Sequence, residues 1–238
     1  MFDAYLDQVK TMLNAEDIRE KTKVYTFNEN RTWPRTERQI ILNDETAVEL
    51  GHPSTESVSF LIWTESADKI KDNNITIIGP DLDQTNAERI PYGKIVLVKT
   101  TGFDKDNAYK RFEKMDHLKF KSELEGFMLR SVPQDYKEWS RVSKKAIKSG
   151  FSLKVLGGEL IRDLKTLDFV EAVEIIFITS SKEDVAKFKP IGEIVSKATM
   201  AMNRMFEDLE FDCEHCTFRE VCDEIDGMKG MHKKAMAG

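Results

Sequence analysis

The sequence predicts an α+β fold in which a mixed sheet is flanked by helices and followed by a small cysteine-rich, metal-binding C-terminal segment. Short β-branched and aromatic runs between turn residues fill the chain from about 24 to 100 and favour strands. Helical spacing of apolar residues marks the N-terminus and much of the second half, without the strict strand–helix alternation of a doubly wound fold. All the cysteines lie after position 211. We therefore expect an α+β domain over residues 1–210 and a separate segment over 211–238.

The first elements follow from the spacing of apolar residues. Phe2, Leu6, Val9 and Leu13 recur at helical spacing and predict an amphipathic helix over residues 2–20 on the outside of the domain. Strands are predicted after this helix because the apolar runs there are short, β-branched and bounded by turn residues. These runs are KVYTF, RQIILN, SVSFLIW, NITIIG and GKIVLVK.

The middle of the chain returns to helical spacing. A helix is expected over residues 104–125, with Gly126 as its C-terminal cap, and the run FMLRSV predicts a strand after it. The stretch QDYKEWSRVSKKAIKSG predicts a second helix that begins at Asp135 and ends at Gly150.

The last elements are a turn, a strand and a long helix. Gly157 and Gly158 in KVLGGELI indicate a turn that follows a strand. The run AVEIIFITS predicts a buried strand, and apolar spacing predicts a helix from Lys182 to Leu209 that leads to the cysteines.

Composition excludes two classes of partner. The net charge is −6, so the chain lacks the basic patch of a dedicated nucleic-acid binder. The longest apolar run, VEIIFI, is far shorter than the roughly 20 residues of a membrane span, and the N-terminus has no apolar signal region. We therefore expect a cytoplasmic protein without a nucleic-acid or membrane partner, in which thiols stay reduced.

Three cysteines and one histidine near the C-terminus are the candidate metal ligands: Cys213, Cys216, Cys222 and His232. A zinc ion would take the three thiolates and one imidazole, from His215 or, in preference, His232. A 4Fe-4S cluster would take the three thiolates and leave its fourth iron to His232, a partner chain, a substrate or water. Three free thiols are the remaining alternative.

Two ordered stretches carry a resemblance to a known family: ITIIGPDLDQ…IPYGKIVLVK and EGFMLRSVPQDYKEWSRVSKKAIKSGFSLKVLGGELI. From about Glu49 to the cysteines, the chain resembles the β subunit of the carbon monoxide dehydrogenase/acetyl-CoA synthase complex. The resemblance covers the middle domain of that enzyme and the start of its cluster domain. Its most specific parts are the Gly-Pro-Asp turn at 79–81 and the stretch around Trp139. Residues 1–45 lie outside it.

The resemblance implies a metal cluster but not the complete enzyme. In that family a 4Fe-4S cluster on four cysteines is bridged to nickel ions that a downstream Cys-Gly-Cys helps to hold. This sequence has three cysteines and no Cys-Gly-Cys, so we expect no nickel site and no synthase activity by this chain alone. The resemblance favours a 4Fe-4S cluster over zinc.

The expected role is accessory, electron-transfer or regulatory, in the one-carbon and acetyl-CoA metabolism of an anaerobe. A partner protein from a one-carbon or corrinoid pathway would act with it. The alternative is a non-catalytic binding protein with a structural Cys3His zinc site. The sequence assigns no catalytic residue.

Four residues are candidates for binding coenzyme A or acyl-CoA: Trp139, Arg141, Lys144 and Lys145. An indole can stack on adenine, and cationic side chains pair with phosphate oxygens. The family handles coenzyme A in this region, which supports the assignment. The alternative is an ordinary amphipathic helix with Trp139 in the core and lysines in solvent.

Overall fold

A computed structural model describes most of the chain as far as residue 207, with side chains as far as Met202. The described ranges are 2–28, 32–36, 39–41, 46–66, 68–103, 107–120 and 123–207. The predicted metal ligands Cys213, Cys216, Cys222 and His232 lie outside these ranges, and the division at residue 210 stays a prediction.

The described residues form six α-helices, nine strands and a short 3-10 helix at Leu82–Gln84. The helices are α1 (Asp3–Leu13), α2 (Glu16–Arg19), α3 (Ala108–Phe120), α4 (Lys144–Lys148), α5 (Leu153–Leu164) and α6 (Lys182–Glu207). The strands are β1 (Thr22–Thr26), β2 (Ala47–Leu50), β3 (Ser57–Thr64), β4 (Asn74–Ile78), β5 (Arg89–Ile90), β6 (Tyr92–Thr100), β7 (Phe127–Ser131), β8 (Trp139–Ser143) and β9 (Val170–Ile178).

The strands form two mixed sheets. The larger has the order β1-β4-β9-β6-β3, in which β4–β9 and β6–β3 are parallel and the other pairs antiparallel. The smaller has the order β5-β2-β8-β7, in which only β5–β2 is parallel. The α+β class with mixed sheets and flanking helices is therefore confirmed.

Helices cover both faces of the larger sheet, which is why its central strands are mostly apolar. On one face α5 packs closely, because a side chain at Gly157 would lie 3.1 Å from Ile75 and Phe177. On the other face α6 approaches in the same way, and a Cβ at Gly192 would lie 2.9 Å from Val58.

Several predicted elements are confirmed. The strands predicted from KVYTF, SVSFLIW, NITIIG, GKIVLVK, FMLRSV and AVEIIFITS are β1, β3, β4, β6, β7 and β9. The N-terminal helix is present but divides into α1 and α2, and the last predicted helix is α6. No described helix combines the length and apolar character needed to cross a membrane.

The helix predicted from Asp135 to Gly150 is wrong. Trp139–Ser143 is strand β8, and only Lys144–Lys148 is helical. The strand forms because pairing with β2 buries Ser140 and Val142 completely. The helix then begins after Ser143, whose side chain accepts hydrogen bonds from the first turn.

Three smaller predictions are also wrong. Gly157 and Gly158 lie inside α5 rather than in a turn, because the helix closely approaches the sheet at Gly157 and the Phe27 ring at Gly158. Gly126 does not cap α3, which ends at Phe120; it has a φ of +84° and precedes β7. In RQIILN the described residues 39–41 form no strand.

Candidate functional site

Trp139 and Arg141 lie on the same side of β8, because residues two apart in a strand share a face. Both contact Glu49 on β2, the direct cross-strand neighbour of Arg141. The Arg141 Nε donates to Glu49 Oε1 at 2.5 Å, and the Trp139 indole Nε1 donates to Glu49 Oε2. One carboxylate therefore holds the two predicted binding residues side by side.

The Arg141–Glu49 pair is almost removed from solvent. Glu49 is 1% exposed and Arg141 is 7% exposed, and Arg141 Nη1 also donates to the Ile41 carbonyl at 2.9 Å. Removing one partner of such an ion pair leaves the charge of the other partner buried and uncompensated. Arg141 is thus a rigid support for the indole, with its charge already balanced by Glu49.

Two residues that the sequence did not indicate contact the Trp139 ring. The guanidinium carbon of Arg130, on β7, lies 4.9 Å from the ring centroid. The His52 ring meets Trp139 edge-on with centroids 5.1 Å apart. An Arg over an indole adds a cation–π contact and places a positive charge against the face of this partly buried ring.

Lys144 and Lys145 occupy the first turn of α4, directly after β8. The Ser143 Oγ accepts from the Lys145 backbone N–H at 3.2 Å and so fixes where the helix begins. Lys144 Nζ lies 3.4 Å from Glu88 in an exposed pair, and Lys145 is exposed. Exposed pairs of this kind are weak, so both ammonium groups can turn towards an anion.

We define the Trp139 face as Trp139, Arg141, Arg130, Lys144 and Lys145. It combines an oriented indole, supported by Arg141, with the cationic groups of Arg130, Lys144 and Lys145, which can meet phosphate or carboxylate oxygens. Such a surface suits recognition of an anion that carries a flat ring. The described residues contain no group of three or more His, Cys, Asp or Glu side chains arranged to hold a metal ion.

A cleft of about 740 Å³ lies at the other end of α4 and was not indicated by the sequence. Phe27, Trp33 and Gly158 are among its lining residues. The buried Glu159 borders it and accepts from Arg35 at 3.0 Å and from Arg162. Burial alone would raise the pKa of Glu159, but these hydrogen bonds outweigh burial and lower it.

Comparison with known proteins shows that the Trp139 face lies within a region that matches a family model. Residues 31–185 match the family model described as the CO dehydrogenase/acetyl-CoA synthase complex beta subunit. That range contains every residue of the Trp139 face, whereas the four candidate metal ligands lie beyond it.

Three curated relatives illustrate the similarity. The acetyl-CoA decarbonylase/synthase complex subunit beta of Archaeoglobus fulgidus is 29% identical over 191 residues, or 77% of this chain and 35% of that protein. The subunit of Methanopyrus kandleri is 31% identical over 168 residues, or 69% and 34%. Subunit beta 1 of Methanosarcina thermophila is 28% identical over 181 residues, or 75% and 37%. The chain thus spans little more than a third of the length of these relatives.

Proposed function

We propose a function that starts from one premise: the chain belongs to the family of the CO dehydrogenase/acetyl-CoA synthase complex beta subunit. On this premise the protein is an accessory, electron-transfer or regulatory component of anaerobic one-carbon and acetyl-CoA metabolism. It binds coenzyme A or acyl-CoA at the Trp139 face, carries an iron–sulfur cluster on its cysteines and acts with a partner protein.

The observation that carries the proposal is the Trp139 face itself. Its indole is held by the Glu49–Arg141 pair, while Lys144 is partly exposed and Lys145 exposed in the first turn of α4, directly after β8. Coenzyme A combines an adenine ring with several phosphates, which are the two groups such a surface recognises. The relatives named above belong to complexes that make or cleave acetyl-CoA, which supports this ligand over other anions.

The cluster part of the proposal rests on the sequence. Cys213, Cys216 and Cys222 offer three soft thiolates, and His232 offers an imidazole ten residues later. This donor set suits a 4Fe-4S cluster and also a Cys3His zinc site. Membership of the family favours the cluster, and a bound cluster would supply one-electron chemistry. Structural zinc in a non-catalytic binding protein is the alternative that metal analysis would reveal.

Coenzyme A binding tests the proposal directly. Removing the two ammonium groups with Lys144→Ala/Lys145→Ala should weaken binding at least about tenfold, equivalent to ~1.4 kcal/mol, since each charged hydrogen bond to phosphate is worth that order. Titration calorimetry with coenzyme A measures this. Pantetheine, which lacks the nucleotide phosphates, should bind both proteins equally weakly.

A matched control removes the same charge elsewhere. Lys110 and Lys114 are exposed on α3, which contributes no residue to the Trp139 face, so Lys110→Ala/Lys114→Ala should leave the affinity unchanged. Equal losses in the two double variants would mean unspecific attraction. No binding of coenzyme A by the unmodified protein at millimolar concentration would refute the proposed ligand.

A further inference from the structure

A buried polar cluster lies behind the Trp139 face. Glu138 directly precedes β8 and is fully buried, and its carboxylate pairs with Lys94 of β6, which is 1% exposed. Ser140 Oγ donates to Glu138 Oε1 at 2.8 Å, and Ser59 Oγ donates to Oε2 at 3.1 Å. Both carboxylate oxygens are therefore occupied, by groups from three different strands.

Lys94 also joins this cluster to α3. Its ammonium donates to the Lys119 carbonyl at 2.8 Å, in the last turn of that helix. Carbonyls at a helix C-terminus have no partner within the helix, so a cation there both satisfies the carbonyl and meets the negative end of the helix dipole. One buried ammonium thus links α3, the larger sheet and the start of β8. Burial lowers the pKa of Lys94, and the Glu138 carboxylate opposes that effect.

The backbone at Glu138 is fixed as firmly as its side chain. Ser57 Oγ donates to the Glu138 carbonyl at 2.6 Å and accepts from its N–H at 3.0 Å. Ser59 N–H donates to the Tyr136 carbonyl at 2.7 Å. Gly51 leaves the room for this contact, because a Cβ there would lie 2.2 Å from the Glu138 carbonyl oxygen. The entry to β8 is therefore clamped against the edge of the larger sheet.

Strand alternation connects the clamp to the binding face. Successive side chains of a strand point to opposite sides. Glu138 and Ser140 point inwards to the Lys94 cluster, so Trp139 and Arg141 must point outwards to Glu49. Any shift of Glu138 would displace both.

We infer that Lys94 and Glu138 are positioning residues for the Trp139 face: their buried ion pair sets the place of the Trp139 indole and hence the affinity of that face for its ligand. The effect on affinity rests on the proposed function, whereas the effect on the position of Trp139 does not. The two effects can therefore be measured separately.

The position of Trp139 is measured by its indole N–H signal in protein labelled with ¹⁵N-tryptophan, identified by its loss in Trp139→Phe. This N–H donates to Glu49, so its chemical shift reports the geometry of the contact. Glu138→Gln keeps the side-chain shape but removes the carboxylate that pairs with Lys94. The Trp139 signal should move, the signals of Trp33 and Trp63 should stay, and coenzyme A should bind at least about tenfold more weakly.

Glu174→Gln is the matched control. Glu174 is also buried, at 3% exposure, and pairs with Lys10 of α1 at 2.5 Å, on the far side of the larger sheet. It should lower stability without moving the Trp139 signal. Equal movement in both variants would mean a general loss of order and would overturn the inference.

A milder variant keeps the test valid if Glu138→Gln does not fold. Ser140→Ala removes only the hydrogen bond to Glu138 Oε1, so it should move the Trp139 signal less than Glu138→Gln does. An unmoved signal in the folded variants overturns the inference. A moved signal in a protein that binds no coenzyme A would confirm the positioning role and refute the proposed ligand.

Discussion

Asp184 shows how one residue can set the acid stability of the protein. It lies in the first turn of α6 and accepts from Lys21 at 2.8 Å and from Ser180 at 2.6 Å. A third donor is Lys187, at 3.1 Å. Burial alone would raise the pKa of Asp184, but these hydrogen bonds outweigh it and lower the pKa to about 2. The lowered pKa means that the folded state favours the charged carboxylate.

Asp184→Asn should therefore cost about 2 kcal/mol of unfolding free energy at neutral pH, the value of a shift of this size. The contribution is complete above the unfolded pKa of 3.8 and disappears as the pH falls towards about 2. Urea unfolding at several pH values measures it, and the variant should lose less stability than the unmodified protein across that interval.

The control for this prediction is Asp17→Asn. Asp17 pairs with the same Lys187, at 2.5 Å, but its side chain is 57% exposed, so solvent screens the pair. Its loss should change stability only slightly. An Asp184→Asn protein with unchanged stability and an unchanged pH profile would contradict the assignment.

Residue chemistry also determined how much of the site could be predicted. The sequence could indicate four residues, because their side chains suit the binding of rings and phosphates: Trp139, Arg141, Lys144 and Lys145. Their partner Glu49 could not be predicted, because it lies 92 residues from Arg141 in the sequence and becomes its neighbour only through strand pairing. Arg130, His52 and the Lys94–Glu138 pair come from separate elements for the same reason.

At the scale of elements, length and burial separate the correct predictions from the wrong ones. β3, β6 and β9 are long β-branched runs buried on both faces, so their sequence alone identifies them. β2 has four residues, too few for a clear pattern. In β8, Trp139 and Val142 are three apart and fit helical spacing, and only pairing with β2 selects the strand.

Two glycines test how α4 is joined to its neighbours. Gly126 has a φ of +84° and a Cβ there would lie 2.1 Å from the Ala146 Cβ on α4. Gly150 has a φ of +102° with nothing within 4 Å. Gly150→Ala should cost only the backbone strain, about 1–2 kcal/mol. Gly126→Ala should cost that strain and about 1–3 kcal/mol more for overpacking.

Urea denaturation of the two variants measures this difference, and each serves as the other's control because both glycines have a positive φ. Equal losses of unfolding free energy in the two variants would show that α4 can move aside from a side chain at Gly126 without further destabilisation. That result would weaken the view that β7, β8 and α4 form one rigid support for the Trp139 face.

At the scale of the whole molecule, two sheets share one core, and polar contacts fix where they meet. Among the described residues, buried apolar side chains from α1 to α6 form a single cluster. The Lys94–Glu138 pair and the Ser57 hydrogen bonds join the larger sheet to β8 of the smaller one. The Trp139 face is thus built on this shared core.

If the predicted division at residue 210 is right, metal binding and folding should be separable. Deleting residues 211–238 should remove the metal but change the midpoint of thermal unfolding by less than about 3 °C, which corresponds to ~1 kcal/mol for a chain of this size. Coenzyme A affinity should remain. In protein purified without oxygen, iron, zinc and visible absorption are measured before and after the deletion, and iron with a broad absorption would support the cluster over zinc.

Replacing Cys213, Cys216 and Cys222 together with Ser in the full chain is the control, because it removes the thiolates and keeps the segment. Both proteins should lose the metal, since each metal site considered needs all three thiolates. A large fall in the midpoint of the deletion variant alone would mean that the segment packs against the body independently of metal. Full metal content in the cysteine variant would contradict the site, because the metal would then be held without any of the three thiolates.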